Sequence, residues 1–185
     1  YIKMKKRPLA MRYFKKALKQ DPSNMDVRMN IASMLLEHLN YAEAFNHYSK
    51  VREAEPRNIE AHEGQCDAQF GLGGSAENKK EAFQTAIDCF LDYMLKQPKR
   101  SDLYLRIANT YQQQMQDLDN AVKYLALYAA NAPLSPEEKK KIAGQVAVLK
   151  DIIASGGLKA MAAPPEEGAP SGEGDGFEPM EDDKE

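Results

Sequence analysis

Three histidines, two cysteines and one glycine-rich segment are the residues of this chain that could do chemistry. His38, His47 and His62 could ligate a transition metal together with thiolates, yet they show no metal-ligand spacing with Cys66 or Cys89. Each histidine is therefore expected at the surface or in a helix interface. The segment GLGG (71–74) could cradle phosphate, but no Lys-Ser or Lys-Thr follows it to complete such a loop. Carboxylates are plentiful without forming a distinctive pair. No enzymatic activity, cofactor or metal site is expected.

The cysteines are too few for a disulfide framework, which favours a reducing compartment and a cytoplasmic location. They are expected to be two small buried hydrophobes. No apolar run approaches the length that spans a bilayer, and the opening YIKMKKRPLA has no apolar core of the kind a signal peptide carries. The formal net charge of −3 conceals opposite ends: residues 1–20 hold eight Lys or Arg and no acid, while 155–185 hold nine acids against two bases.

Residues of this kind must be positioned by something, and the chain repeats itself. RYFKKALKQDPSN (12–24) returns as HYSKVREAEPRN (47–58), with Pro22 and Pro56 separated by 34 residues. The alignment places Ala10 on Ala44, Phe14 on Tyr48, Ala17 on Val51 and Asn24 on Asn58. A third copy carries Ala86, Phe90, Tyr93 and Pro98 at an offset of 42, with the insertion falling near GLGGSAENKK (71–80). A fourth carries Ala121, Leu125, Tyr128 and Pro133 at an offset of 35, one residue longer than the first. A fixed period in this range signals stacked supersecondary units.

Upstream of the recurrent segment lies a second helical one. In 27–39, Ile31, Leu35 and Leu39 stand four apart with Ala32 beside Ile31; in 103–115, Ile107, Tyr111 and Met115 do so with Ala108. The corresponding 59–71 is poorer, because Gln65 and Gln69 occupy the apolar places. Alanine allows close helix approach, the aromatic one turn on fills the gap, and proline ends the helix before a capping Ser or Asn.

Over roughly residues 1–135 these combined positions resemble the tetratricopeptide repeat family, with departures: no tryptophan, the weak 59–71 segment and the lengthened fourth copy. The expected fold is all-α, a right-handed α-solenoid of antiparallel helix pairs. Residues 1–24 read as the second half of a truncated repeat, so the chain is expected to be a fragment of a longer protein. Full repeats follow at 25–58, 59–100 (with the inserted loop 71–80) and 101–135. Ser135, Pro136 and Glu138 form a helix start, and Ile142, Val146, Leu149 and Ile153 make a stripe, so 136–155 is a capping helix with Lys139, Lys140, Lys141 and Lys150 on its polar side. The segment 156–185 is expected to be a disordered acidic tail, in which Phe177 and Met180 form a candidate docking motif.

The resemblance implies that the first helices line a concave groove. Helical spacing puts Asp26, Met29, Asn30, Ser33, Leu36 and Glu37 on that face in one repeat, and Glu60, Glu63, Asp67 and Phe70 in the next. The last contributes Asp102, Leu105, Arg106, Asn109 and Gln113. Six acids face one base, so a protein or peptide with basic and apolar side chains is the expected partner of a non-catalytic scaffold. Capture of chaperone C-termini, known for this family, is rejected because Glu60 and Asp102 stand where lysines would be wanted. Nucleic-acid binding through Lys3, Lys5, Lys6, Arg7, Arg12, Lys15, Lys16 and Lys19 is the alternative, with Tyr13 and Phe14 assigned to packing. Attachment to an upstream signalling domain is another. The exposed repeat ends leave self-association open, and no membrane insertion is expected.

Overall fold

The computed structural model describes residues 2–156; the expected tail, with Phe177 and Met180, lies outside them, as do the side chains of Lys3, Lys5, Lys6 and Arg7. Eight α-helices and one π-helical turn make up the described residues, with no strand among them. They are α1 (Ile2–Gln20), α2 (Met25–Glu37), α3 (Tyr41–Ala54), α4 (Ile59–Gly73), α5 (Lys79–Lys96) and α6 (Asp102–Thr110). The π turn (Tyr111–Met115), α7 (Leu118–Asn131) and α8 (Pro136–Ala154) complete the chain. Each helix packs on the next, and the pairs stack as an all-α helical-repeat solenoid.

The joints are set by local chemistry. Proline removes a backbone donor and stops the preceding helix, and a polar side chain then satisfies the first free amides of the next. Asn24 accepts from Val27 N at 3.0 Å and Asn58 from Ala61 N at 2.9 Å. Asp117 accepts from Asn120 N at 3.0 Å, and Ser135 with Glu138 closes a reciprocal capping box. Such caps contribute about 1 kcal/mol each.

The recurrent positions form the core. Ala44, Ala86 and Ala121 are fully buried, and Tyr48, Phe90 and Leu125 fill the spaces beside them, while Ala10 and Phe14 on α1 are half-buried. The apolar side chains group into two clusters, one from α1 to α4 and one from α4 to α8. Ile142 and Leu149 bury the α8 stripe against the second cluster, with Val146 and Ile153 packed beside them. The four lysines of α8 are exposed.

Three irregularities have physical explanations. The weak apolar pattern of 59–71 reflects a helix that packs through small residues. Gly64 and Gly71 leave recesses for the rings of Tyr48 and Tyr41, where a methyl group would collide with ring carbons. Gln65 donates to the Ser49 hydroxyl at 2.8 Å and accepts from the Arg52 guanidinium, so it ties α4 to α3 by hydrogen bonds. The insertion is not all loop, because α4 continues through Gly73 and only 74–78 connect it to α5; α4 has 15 residues and α5 18, against 13 and 14 in the preceding pair. The extra residue of the last repeat is absorbed by the π turn, which closes with Asp117 N donating to Tyr111 O at 2.9 Å.

Candidate functional site

The face built from α2, α4 and α6 carries the residues that helical spacing assigns to a groove. Between α4 and α6 this face holds an open pocket of about 380 Å³ lined by Phe70, Asp102, Leu105, Arg106, Asn109 and Gln113, with Thr110 and Gln114 added by the helix end and π turn. The first six were all expected from sequence. The extra residue of the π turn helps bring Gln113 and Gln114 to this rim, where amides can both donate to and accept from a bound polypeptide backbone.

Arg106 organises the pocket. Its guanidinium carbon lies 4.3 Å from the Phe70 ring centroid and 4.5 Å from that of Phe90, and it donates to the Asp67 carboxylate. Cation, rings and carboxylate thus fix one another. One turn before Asp67 on α4, Glu63 accepts from Arg100, which also pairs with Asp102 at 3.0 Å, while the Tyr93 hydroxyl donates to Glu63 at 2.9 Å. The Arg100 hydrogen bond holds the Asp102 carboxyl below its ordinary range, and burial, followed by the Glu63 contact, raises the Tyr93 phenol.

These pairs alter the electrostatic picture drawn from sequence. Glu63, Asp67 and Asp102 are ion-paired with Arg100 and Arg106, three carboxylates to two cations, so most of the acidity expected along the face is already offset at the α4–α6 end. Arg100 escaped the sequence reading because it lies in a connector, 37 residues from its Glu63 partner. Asp26 and Glu60 are exposed and have no ion pair among the described residues, which leaves acid toward α2. On α2, Met29 and Leu36 are half-buried in the first cluster, Asn30 donates to the Asp26 carbonyl at 2.8 Å, and Ser33 shares a hydrogen bond with the Tyr48 hydroxyl at 3.2 Å. Glu37 is exposed at the end of that helix. No groove residue of α2 reaches the α4–α6 pocket.

Two further expectations are corrected. Tyr13, assigned to packing, is 64% exposed beside Arg12 and Lys16, whereas Phe14 does pack on the first cluster. Cys66 and Cys89 are not separate hydrophobes but a disulfide joining α4 to α5, with Cα atoms 5.4 Å apart, so the cysteine argument for a reducing compartment loses its premise. His62 joins them despite the absence of a recognised spacing: one ligand atom from each of His62, Cys66 and Cys89 lies within 4.8 Å of the others. Folding α4 against α5 supplies the proximity. No described helix is long and apolar enough to cross a membrane.

The fold defines a class of protein by itself: stacked antiparallel helix pairs with an open lateral face, the last described helix packed on α7. Solved structures place that class among tetratricopeptide-repeat folds. TTC0263, a thermophilic tetratricopeptide-repeat protein of Thermus thermophilus, superposes with a TM-score of 0.54 at 20% identity, covering 90% of this chain and 87% of that one. MamA superposes with a TM-score of 0.56 at 19% identity, covering 82% of this chain and 95% of that one. No family model and no curated protein matches the sequence. The tetratricopeptide-repeat-like solenoid expected from the period of 34 is therefore the fold of this chain.

Proposed function

We propose that the chain is a non-catalytic scaffold that holds an extended segment of a partner protein along the α2–α4–α6 face. The observation that carries this reading is the pocket between α4 and α6, where apolar Phe70 and Leu105 meet the exposed amides of Asn109 and Gln113. An apolar partner side chain seats against the former, and the partner backbone hydrogen-bonds to the latter. Basic partner residues run toward Glu60 and Asp26. The tetratricopeptide-like fold supports protein binding as the general role, since each helix pair leaves one side open for contact.

The test is a peptide array in which one apolar residue is flanked by Lys and Arg, by Asp and Glu, or by Ser and Gly. Selective binding of the basic set is expected. Glu60→Lys, an exposed substitution, should weaken it about two- to fivefold, the range of one exposed charge pair, and Asn109→Ala should weaken all apolar peptides alike. Equal binding of all three sets would defeat the reading.

A second reading rests on the α1 surface. Leu9, Arg12, Tyr13, Lys15, Lys16 and Lys19 line a pocket of about 730 Å³, and an exposed aromatic among cations suits nucleic-acid bases and phosphates. Oligonucleotide binding that falls steeply with salt and is lost in Tyr13→Ala would promote it over the peptide groove.

A further inference from the structure

His62 poses a problem that the disulfide does not solve. Its imidazole is 2% exposed, and Nε2 has no hydrogen-bond partner among the described residues. Leaving a buried polar atom unsatisfied carries the full cost of its desolvation. The Asp92 Oδ2 atom lies 3.4 Å from Nε2, close enough for charge attraction but not placed to accept a hydrogen bond. The Tyr93 ring meets the imidazole edge-on with centroids 5.5 Å apart, which fixes its orientation without satisfying its nitrogen. A covalent link between Cys66 and Cys89 needs no such neighbour.

The imidazole stands where a third ligand would stand. His62 and Cys66 are one turn apart on a single face of α4, and Cys89 approaches from α5. One ring nitrogen and two sulfurs form a borderline-soft donor set suited to a tetrahedral d¹⁰ ion. Cys66 is fully enclosed and Cys89 half-buried, so an ion would enter from the Cys89 side.

We propose that the dithiol form of this chain binds one Zn²⁺ through His62, Cys66 and Cys89, with Asp92 supporting the imidazole or supplying the fourth ligand. The site alternates with the disulfide. A dithiol reductant opens the bond by exchange: one of its thiolates attacks a protein sulfur, the Cys66–Cys89 bond breaks, and a mixed disulfide forms. Its second thiolate then resolves that intermediate, leaving two protein thiols and a cyclic oxidised reductant. Zinc binding displaces the two thiol protons to solvent. In both states α4 and α5 are clamped at the same point, covalently or through the ion.

The test uses the full chain, reduced with a phosphine (which takes up the oxygen of one water as the two thiols form), desalted without oxygen and titrated with Co²⁺ as a coloured substitute for Zn²⁺. One equivalent should give a sulfur-to-cobalt charge-transfer band and the intense visible bands of a tetrahedral ion, both abolished by Zn²⁺. The oxidised chain should give neither. His62→Phe keeps a ring against Tyr93 and removes both nitrogens. It should weaken cobalt binding by more than the roughly 10–100-fold that loss of an outer-shell partner costs, and Cys89→Ser should remove the charge-transfer band while circular dichroism shows helices retained. A reduced wild-type chain without these bands overturns the proposal. So does a His62→Phe chain of undiminished affinity, since it would leave only an adventitious dithiol.

Discussion

The helix pairs α2–α3 and α4–α5 occupy equivalent places in the solenoid but are held together differently. In α2–α3, Ile31, Ala32 and Leu35 interlock with Ala44, Tyr48 and Val51, all buried, over a connector of three residues, 38–40. In α4–α5 the buried positions of the first helix are mostly small, with Ala61, Gly64 and Ala68 toward α3 and Cys66 and Gly73 toward α5; the connector is longer, and a disulfide crosses the pair. Small residues supply little apolar area. Where the stripe is thin, the covalent link holds α4 to α5, while Gln65 ties α4 back to α3 and the ion pairs of Glu63 and Asp67 tie it forward to Arg100 and to Arg106 of α6. The fold therefore tolerates a change in what joins a pair, provided the helices still meet at the same separation.

The strongest contrast is expected from removing each pair's main fastener. Leu35→Ala deletes buried volume in α2–α3 and should cost about 2–5 kcal/mol, with or without reductant. Replacing Cys66 and Cys89 together by Ala should cost about 2–4 kcal/mol relative to the oxidised chain. Measured against the reduced, metal-free chain, the loss should nearly vanish. Urea unfolding with and without a phosphine reads both, and a redox-insensitive midpoint would show that α4–α5 does not depend on its link.

Glycine gives a second contrast, of opposite sign at two sites. Gly64→Ala should destabilise by about 1–3 kcal/mol, because the new methyl meets the buried Tyr48 ring. Gly144→Ala, on exposed α8 with nothing near its added Cβ, should stabilise by about 0.5–1 kcal/mol through helix propensity. Thermal midpoints moving in the same direction would refute the idea that α4 is small by steric necessity.

What could be read beforehand follows the same division. The α2–α3 pair, α7 and the α8 cap announce themselves because their burial is periodic: Ala44, Tyr48, Val51, Ala121 and Leu149 stand where a repeat demands them. The α4–α5 pair hid its fasteners, since they depend on how two helices register across an insertion. One signal was available. Cys66 and Cys89, like His62 and Asp92, flank the connector 74–78 with one register (each step back along α4 matched by about one step forward along α5), and antiparallel helices bring such positions together. The residue types along the proposed α2–α4–α6 face were visible in the sequence, but its charge was not, because Arg100 reaches Glu63 only after the connector has folded back.

Charge reversal tests that last point. Glu63→Lys removes the acceptor shared by Arg100 and the Tyr93 hydroxyl, so it should cost about 1–2 kcal/mol of stability before any partner is present. The same reversal at exposed, unpaired Glu60 should leave stability within about 0.5 kcal/mol. Comparable losses at both would remove the distinction between structural and available acids. A smaller, pH-dependent difference should come from His47 on α3. Burial, followed by Arg28, holds its pKa below the ordinary 6.5; Lys50 and Lys15 act in the same direction and Glu43 against it. The unfolded chain then takes up the proton first, so stability is complete above about pH 6.5 and declines as pH falls toward the lower folded value. Unfolding midpoints followed through that window should fall less in His47→Phe than in the wild type.

The smallest effect tests the end of α2, where Leu39 is held at φ 61 and is 68% exposed. Asn40 N donates to Leu35 O at 2.9 Å and Leu39 N to Leu36 O at 3.0 Å, the hydrogen bonds of a left-handed helix terminus that usually uses glycine. Holding a branched side chain there costs about 1–2 kcal/mol, but glycine would also give the unfolded chain about 0.5–1 kcal/mol of extra freedom. The net gain for Leu39→Gly should be about 0.5 kcal/mol, a rise of a few degrees at most. Leu39→Asn, which tolerates this backbone with less unfolded-state freedom, should match or exceed it. If both variants fell below the wild type, the exposed leucine would have to be contributing contacts that its 68% exposure does not suggest, and the tight three-residue connector of α2–α3 would owe its stability to that side chain rather than to the backbone turn.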